Sequence, residues 1–395
     1  MIYVALFCIA LLLYSYVGFP VLIRILAKVA PRKSGIDESY QPAVSIILPA
    51  FNEELILADC LTSLVNLKYP AEKIEILCGS DGSTDRTNSI LLEFAARHQQ
   101  IKPVLFPGQR GKMLTLNDLV AKAKNEILLF VDADITLHPN TLLCHVRHYA
   151  DPETGAVAGH LAMDSEQATS IYKSENSYWH IESDLRKHEA AIWSTLAVYG
   201  GNYSIRRELW QSLPDGRVSD DFFVGLQVAL SGKRILFDEG AISIEQYGRT
   251  YPDEFQRKRR TTARTIHTLS YFRSSLIRGR VAWLLWPHKV LRWFAMYIVL
   301  ALVASTFLSL YSPLAVVLLL IELALGLLVV IGWVSKGLKS PIPVASQIYW
   351  LFSMNIALAL GVIDFLFSSP GPLWAQTTRI ANDLTPSLSR EVSAP

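Results

Sequence analysis

Charge is scarce in this 395-residue chain: Asp, Glu, Lys and Arg make up 18% of it, hydrophobic residues make up 51%, and the mean hydropathy is positive. Soluble domains of this total length would carry more charge. Cysteine is scarce as well. Cys8, Cys60, Cys78 and Cys144 contain no close pair, so they suggest neither a disulfide framework nor a zinc site and read as ordinary buried thiols. Two phosphate-binding signatures are missing: no Gly-x-Gly-x-x-Gly follows the first strand-like run, and no glycine-rich loop ends in Gly-Lys-Ser/Thr. Simple dehydrogenase and nucleoside-triphosphatase readings lose their main support. A net charge of +2 gives no ground for nucleic-acid binding, and no internal repeat is visible.

The apolar excess lies at the two ends. After Met1 the first charged residue is Arg24, whereas the stretch from Ala43 to Arg280 has the mixed composition of a globular domain. Residues 1–30 read as a transmembrane anchor, since residues 1–23 lack the positive start and small-residue cleavage site of a signal peptide. Residues 291–366 hold about three more spans: a hairpin turning at Tyr311-Ser312-Pro313, then a run from Ile342 to Ile363. Arg24, Lys28, Arg32 and Lys33 follow the first span, Arg278, Arg280, Lys289 and Arg292 precede the second, and Lys336 and Lys339 separate the last two. All three clusters fall on one side of a four-helix path, which predicts a cytoplasmic globular domain over residues 43–250. Residues 251–290 alternate basic and aromatic groups, as a helix lying along a bilayer would. The tail, 367–395, reads as poorly ordered.

Within 43–250, Val44–Leu48, Ile74–Leu77, Val104–Phe106 and Ile127–Val131 are strand-like. Apolar residues recur at helical spacing from Leu55 to Leu67 and from Met113 to Ala123, and Asp81–Asp85 opens a further helix with Thr84 or Asp85 as its cap. The alternation predicts an α/β domain with a mostly parallel sheet covered on both faces. Ligands collect beyond the carboxyl ends of such strands, where Asn52-Glu53, Asp81 and Asp132 fall.

Asp132 and Asp134 leave the end of a buried strand, and an extended backbone would turn both to one side. Together they can hold a divalent cation, Mg²⁺ or Mn²⁺, whose other ligands are diphosphate oxygens, although such a pair also sits in solvated turns. Asp81, among small residues, can accept from a nucleobase N–H or end a capping turn. Asn52 and Glu53 can cap the first helix or line the same nucleoside site. Lys112 can reach phosphate or simply be solvated. Asp220 and Asp221 precede the amphipathic run Phe222–Leu230, either as a helix-start pair or as a catalytic base and its acidic neighbour, with Asp221 the candidate base. In Phe255-Gln-Arg-Lys-Arg-Arg260, Gln256 and Arg259 share a helical face and can line an acceptor path or meet the diphosphate, while juxtamembrane lipid explains much of the positive charge. Glu322, alone within an apolar run, either lines a saccharide route or is hydrogen-bonded inside a bundle.

Pro49-Ala-Phe-Asn-Glu53, Asp81-Gly-Ser-Thr-Asp85, Gly111-Lys112, Asp132-Ala-Asp134, Gly201-Asn202, Ser219-Asp220-Asp221 and Gln256-Arg-Lys-Arg259 occur in that order. Together they resemble the membrane-integrated family 2 glycosyltransferases, which include cellulose, chitin, hyaluronan and poly-N-acetylglucosamine synthases. The resemblance covers about residues 43 to 290. It implies a GT-A fold, inverting single displacement and often a UDP-sugar donor. By motif match, Asp81 contacts the nucleobase, Asp134 binds the metal with help from Asp132, Asp221 is the base, and Gly201, Asn202, Gln256, Arg259 and Arg260 fall at the acceptor or diphosphate. Arg260 stands where the processive synthases have tryptophan, which weakens the expectation of processive polymerisation. The resemblance therefore implies an enzyme of a bacterial inner membrane that extends a glycan or lipid-linked saccharide, with an oligomer or export partner if the product crosses the bilayer. Transfer of one sugar to polyprenyl phosphate or another lipid is the enzymatic alternative, and an inactive membrane scaffold is the non-enzymatic one.

Overall fold

The computed structural model describes residues 1–162, 170–196, 198–214, 216–245, 251–273, 277, 279–335 and 342–368, without the side chains of 170–177. Arg278, Lys336, Lys339 and the tail beyond Ser368 lie outside the described residues. The strand-like runs become β1 (Val44–Ala50), β2 (Ile74–Asp81), β3 (Ile101–Phe106) and β4 (Ile127–Phe130), and β3, β2, β1 and β4 lie side by side, all parallel. Every residue of β1 is buried, and its side chains alternate between two cores. Ile46 and Leu48 pack with Leu57, Leu61 and Leu64 of α2 (Leu57–Val65). Ile47 faces the other way, toward Met113, Leu116 and Leu119 of the helix Lys112–Lys122. This is the period-two alternation of a strand covered on both faces. The helix expected to open within Asp81–Asp85 begins instead at Thr87, as α3 (Thr87–Arg97). Asp85 sits just ahead of it, accepting the Thr87 N–H at 2.9 Å and the Glu54 N–H at 3.0 Å.

Beyond β4 the sheet changes character. After α4 (Lys112–Lys122) and β4 come β5 (Ile135–Leu137), α5 (Thr141–Val146), β6 (Thr154–Ala162), α6 (Ser170–Ile192), β7 (Tyr203–Arg206), α7 (Asp220–Leu230) and β8 (Arg234–Glu245). The strand order is β3-β2-β1-β4-β7-β6-β8-β5. β7 runs antiparallel to both β4 and β6, β8 is parallel to β6, and β5 is antiparallel to β8.

Three helices among the described residues are long and apolar enough to cross a membrane: α1 (Ile2–Val29), α11 (Pro313–Ser335) and α12 (Pro343–Phe367). A fourth crossing exists if α9 (Gly279–Trp293) and α10 (Ala295–Phe307) count as one span, bent by 64° where Phe294 departs from helical geometry. Between sheet and spans lies α8 (Tyr251–Tyr271). The core that holds Ile47 and Met113 continues into Phe19 and Ile23 of α1, Val281, Leu284 and Trp293 of α9, and Val362 of α12, so sheet and apolar helices share one packed interior. Thr306 Oγ1 donates to Glu322 Oε1 at 2.8 Å, linking α10 to α11. That contact is the bundle hydrogen bond weighed for Glu322.

At the crossing of α8 and α12, a Cβ placed on Gly361 would lie 2.5 Å from the Arg259 carbonyl oxygen and 2.7 Å from Thr262 Cβ. Backbone occupies that space, so the two helices cannot part without breaking neighbouring contacts. Gly361→Val is expected to cost about 1–3 kcal/mol through overpacking. Gly326, whose Cβ would meet nothing within 4 Å, supplies the control. Equal thermal unfolding midpoints for Gly361→Val and Gly326→Val in detergent would refute the crossing argument.

Candidate active site

At the carboxyl ends of β1 and β4 opens a cleft of about 820 Å³ lined by Asp132, Asp134, Lys112, Asp220 and Asp221. The Asp132–Asp134 segment is a turn rather than an extended run, closed by the Ile135 N–H donating to the Asp132 carbonyl at 3.1 Å, yet both carboxylates line the cleft. Lys112 opens α4 directly after Gly111, whose φ of +99° suits glycine. Its Nζ lies 2.8 Å from Asp132 Oδ1 and 2.9 Å from Asp220 Oδ2. Burial alone would lower the Lys112 ammonium, but Asp132 and Asp220 hold it above its ordinary value. Burial, opposed by Lys112 and reinforced by Asp134 and Asp220, pushes Asp132 up to about 6.

Asp220 and Asp221 form the first turn of α7. The Ser219 hydroxyl and the Phe222 N–H donate to Asp221 Oδ1 at 2.5 and 2.7 Å, which fixes the carboxylate. Its other oxygen, Oδ2, lies 3.6 Å from a Cβ placed on Gly200, and Asp132 Oδ2 lies 3.7 Å from the same point, so the two oxygens converge beside a residue with no side chain. Burial and the Asp220 charge raise Asp221 above the usual carboxylate range.

The remaining sequence candidates divide. Asn52, Glu53 and Gly201 line the cleft. Asn52, at φ +53°, accepts the Thr84 N–H at 2.8 Å and so ties the loop after β1 to the loop after β2. Asp81 is fully buried, and its carboxylate accepts backbone N–H groups of Arg110 and Gly111 at 3.0 and 2.7 Å. Gly82 permits that fold: its φ is +70°, and a Cβ there would strike the Gly108 backbone at 2.3 Å. Asn202 is buried behind the site, bonded to His145 Nε2 and the Ala241 carbonyl at 2.8 and 2.7 Å. Of the α8 candidates, Arg260 lines the cleft. Gln256 is exposed, and Arg259 turns to Asp364 of α12 in a two-bonded ion pair at 2.6 and 2.7 Å. The shared helical face of Gln256 and Arg259 is therefore directed away from the cleft.

The motifs gave no notice of the cleft's other end. Glu182 and Arg186 of α6 meet His288, Lys289 and Arg292 of α9 there. Lys289 and Arg292 are visible in the sequence only as topology-setting charges.

Among the described residues no three His, Cys, Asp or Glu side chains form a self-sufficient metal cage. Asp132 and Asp134 nevertheless fit a divalent cation of the shared kind. Two hard carboxylates face one cleft, with room for a ligand that brings its own oxygens.

An α/β sheet of this form, with acidic groups gathered at its strand ends, defines a GT-A-like fold. The likeness to the mannosyltransferase PcManGT from Pyrobaculum calidifontis, solved with GDP-Man and Mn²⁺, extends over 93% of this chain and 100% of that one, with a TM-score of 0.71 at 22% identity. The segment 45–213 matches the family model described as glycosyl transferase family 2. The probable glycosyltransferase YdaM of Bacillus subtilis is 29% identical over 218 residues, 53% of this chain and 52% of the relative. The poly-beta-1,6-N-acetyl-D-glucosamine synthase of Staphylococcus epidermidis is 29% identical over 196 residues, 49% of this chain and 46% of the relative. The chain thus spans about half the length of the curated relatives it matches.

Proposed function

We propose that the chain is an inverting glycosyltransferase that moves a sugar from a nucleoside diphosphate donor to a growing glycan or lipid-linked saccharide at the cytoplasmic face of a bacterial inner membrane. The observation that carries this reading is the convergence of Asp132, Asp134, Lys112, Asp220 and Asp221 on one cleft at the strand ends of a family 2 domain. Residues 43–250 form the catalytic unit, 251–290 the membrane-surface region, and 1–30 and 291–366 the spans. Asp132 and Asp134 hold Mg²⁺ or Mn²⁺, which when bound neutralises charge developing on the departing nucleoside diphosphate. Lys112, already beside Asp132, provides a second positive charge for the phosphates. Asn52, Glu53 and Asp81 make the nucleoside side, with Asp81 orienting the base through a loop whose backbone it holds. Asp221 accepts the proton of the attacking acceptor hydroxyl. Asp220 is engaged by the Lys112 ammonium, which leaves Asp221 the better placed of the pair.

PcManGT holds GDP-Man, whereas the motif resemblance points to a UDP-sugar, so the donor is settled by experiment. Incubation of the purified chain with a panel of UDP- and GDP-sugars and Mn²⁺ is expected to release nucleoside diphosphate from one of them, and chelator is expected to stop the release. A catalytically silent protein across the whole panel, with and without membrane extract as acceptor, would favour a scaffold.

A further inference from the structure

The lining of the cleft also takes in Trp293, whose ring lies 6.5 Å from that of Phe222 beside Asp221, and Leu358, the second of which belongs to the apolar helix α12. Cations from three helices line the cleft: Arg186 from α6, Arg260 and Arg264 from α8, and Lys289 and Arg292 from α9. α9 is interrupted here by a π-helical turn, Trp286–Val290. Such a turn inserts a residue into the helical register and is frequent at functional sites. Here it carries His288 and Lys289 to the buried Glu182. His288 Nε2 lies 3.1 Å and Lys289 Nζ 2.8 Å from the Glu182 carboxylate, Arg186 approaches it at 3.1 Å, and Arg292 at 3.6 Å. His288 Nδ1 lies 2.7 Å from Glu189 Oε1.

One carboxylate cannot neutralise three permanent cations. Arg186, Lys289 and Arg292 all face Glu182, whereas Glu189 is engaged by His288 and the Thr195 hydroxyl. Arg292 also keeps a buried Nε with no hydrogen-bond partner among the described residues, and its guanidinium carbon lies 5.5 Å from the centre of the Tyr16 ring. Glu182 thus organises the cations and leaves a positive surplus in a cleft whose lining also includes the apolar Trp293 and Leu358.

We infer that this cationic part of the cleft is a subsite for the phosphate of a lipid-borne acceptor, its apolar chain leaving past Trp293 and Leu358. The proposal rests on the glycosyltransferase reading and names its acceptor class. A phosphate-bearing head suits forked guanidinium donors better than a neutral glycolipid does. The apolar exit and the exposed Trp283, Trp286 and Phe294 on the same bent helix pair select a lipid over free phosphate. Anchored there, the acceptor presents a sugar hydroxyl to Asp221. Its proton passes to the Asp221 carboxylate, its oxygen bonds to the anomeric carbon, and the anomeric carbon–oxygen bond to the diphosphate breaks with the electron pair leaving on the nucleoside diphosphate.

Binding of farnesyl phosphate, farnesol and inorganic phosphate to the full chain in detergent tests the subsite without requiring turnover. Farnesyl phosphate is expected to bind roughly tenfold or more tighter than either of the others. Arg292→Gln is expected to lose roughly tenfold of that affinity and Arg292→Lys to keep part of it, with Mn²⁺-dependent nucleoside diphosphate binding unchanged in both. Arg186→Gln, on a different helix, repeats the test should Arg292→Gln fail to fold. Farnesol binding as tightly as farnesyl phosphate would remove the phosphate from the proposal. Equal binding of inorganic phosphate would remove the lipid, and undiminished affinity in the substituted proteins would remove the site. Loss of nucleoside diphosphate binding by the wild-type chain, with farnesyl phosphate binding intact, would instead overturn the glycosyltransferase reading and leave the phosphate subsite standing.

Discussion

Asp221→Asn is expected to lower saturated turnover by roughly 10²–10⁴-fold, the contribution of a positioned general base, while donor affinity stays close to that of the wild type. The substitution keeps the size of the side chain and an oxygen for the Ser219 and Phe222 donors, and removes only the ability to take a proton. Burial and Asp220 raise the Asp221 carboxyl, so the protonated, inactive form persists to higher pH than for an ordinary aspartate. Turnover of the wild type should rise with pH through that raised value, and the residual rate of Asp221→Asn should lack this limb. Retained turnover with lost donor affinity would assign Asp221 to binding instead.

Asp134→Ala is expected to abolish most of the gain in nucleoside diphosphate affinity that Mn²⁺ gives, a weakening of roughly tenfold or more. Without a cation, the diphosphate would meet the part of the cleft where Asp132, Asp134, Asp220 and Asp221 gather around Lys112, and like charges at short range repel strongly where water is partly excluded. Asp134 is the cleaner target of the metal pair because Asp132 is also bound to Lys112, so that removing Asp132 would change two interactions at once. Calorimetry in the presence of Mn²⁺ and of chelator measures the gain directly. Equal gains in wild type and Asp134→Ala would dismiss the metal assignment.

Strands β1, β2 and β4 were legible because apolar runs buried on both faces leave a strong signature, whereas the edge strand β3, with Lys102 and Leu105 exposed, showed only through Val104–Phe106; the helices between them carry a helical apolar period. The second half of the sheet was not. β5 and β7 have three and four residues, too short for a pattern, and their burial depends on pairing with the distant β4, β6 and β8. The acidic site was legible because its residues fall at strand ends and helix starts, positions that local sequence marks. The cationic end was hidden for a different reason. Glu182 and His288 are 106 residues apart, and their meeting depends on a π-helical turn that no spacing rule anticipates. Gln256 and Arg259 show the opposite error: a correct helical face whose direction was decided by Asp364, on a helix about a hundred residues later.

A core shared by the sheet and the apolar helices has a geometric consequence. If α1, α11 and α12 fix the protein's height in a bilayer, the acidic cluster cannot ride up or down independently of them, because Ile47 and Val362 belong to one packed interior of low compressibility. Under the proposed function the cleft would then act as a depth gauge: it would react only with acceptor atoms that stand at a set distance from the membrane plane, and a lipid with a longer or shorter spacer between its headgroup phosphate and the reacting hydroxyl would be refused by position before any pocket has to recognise it.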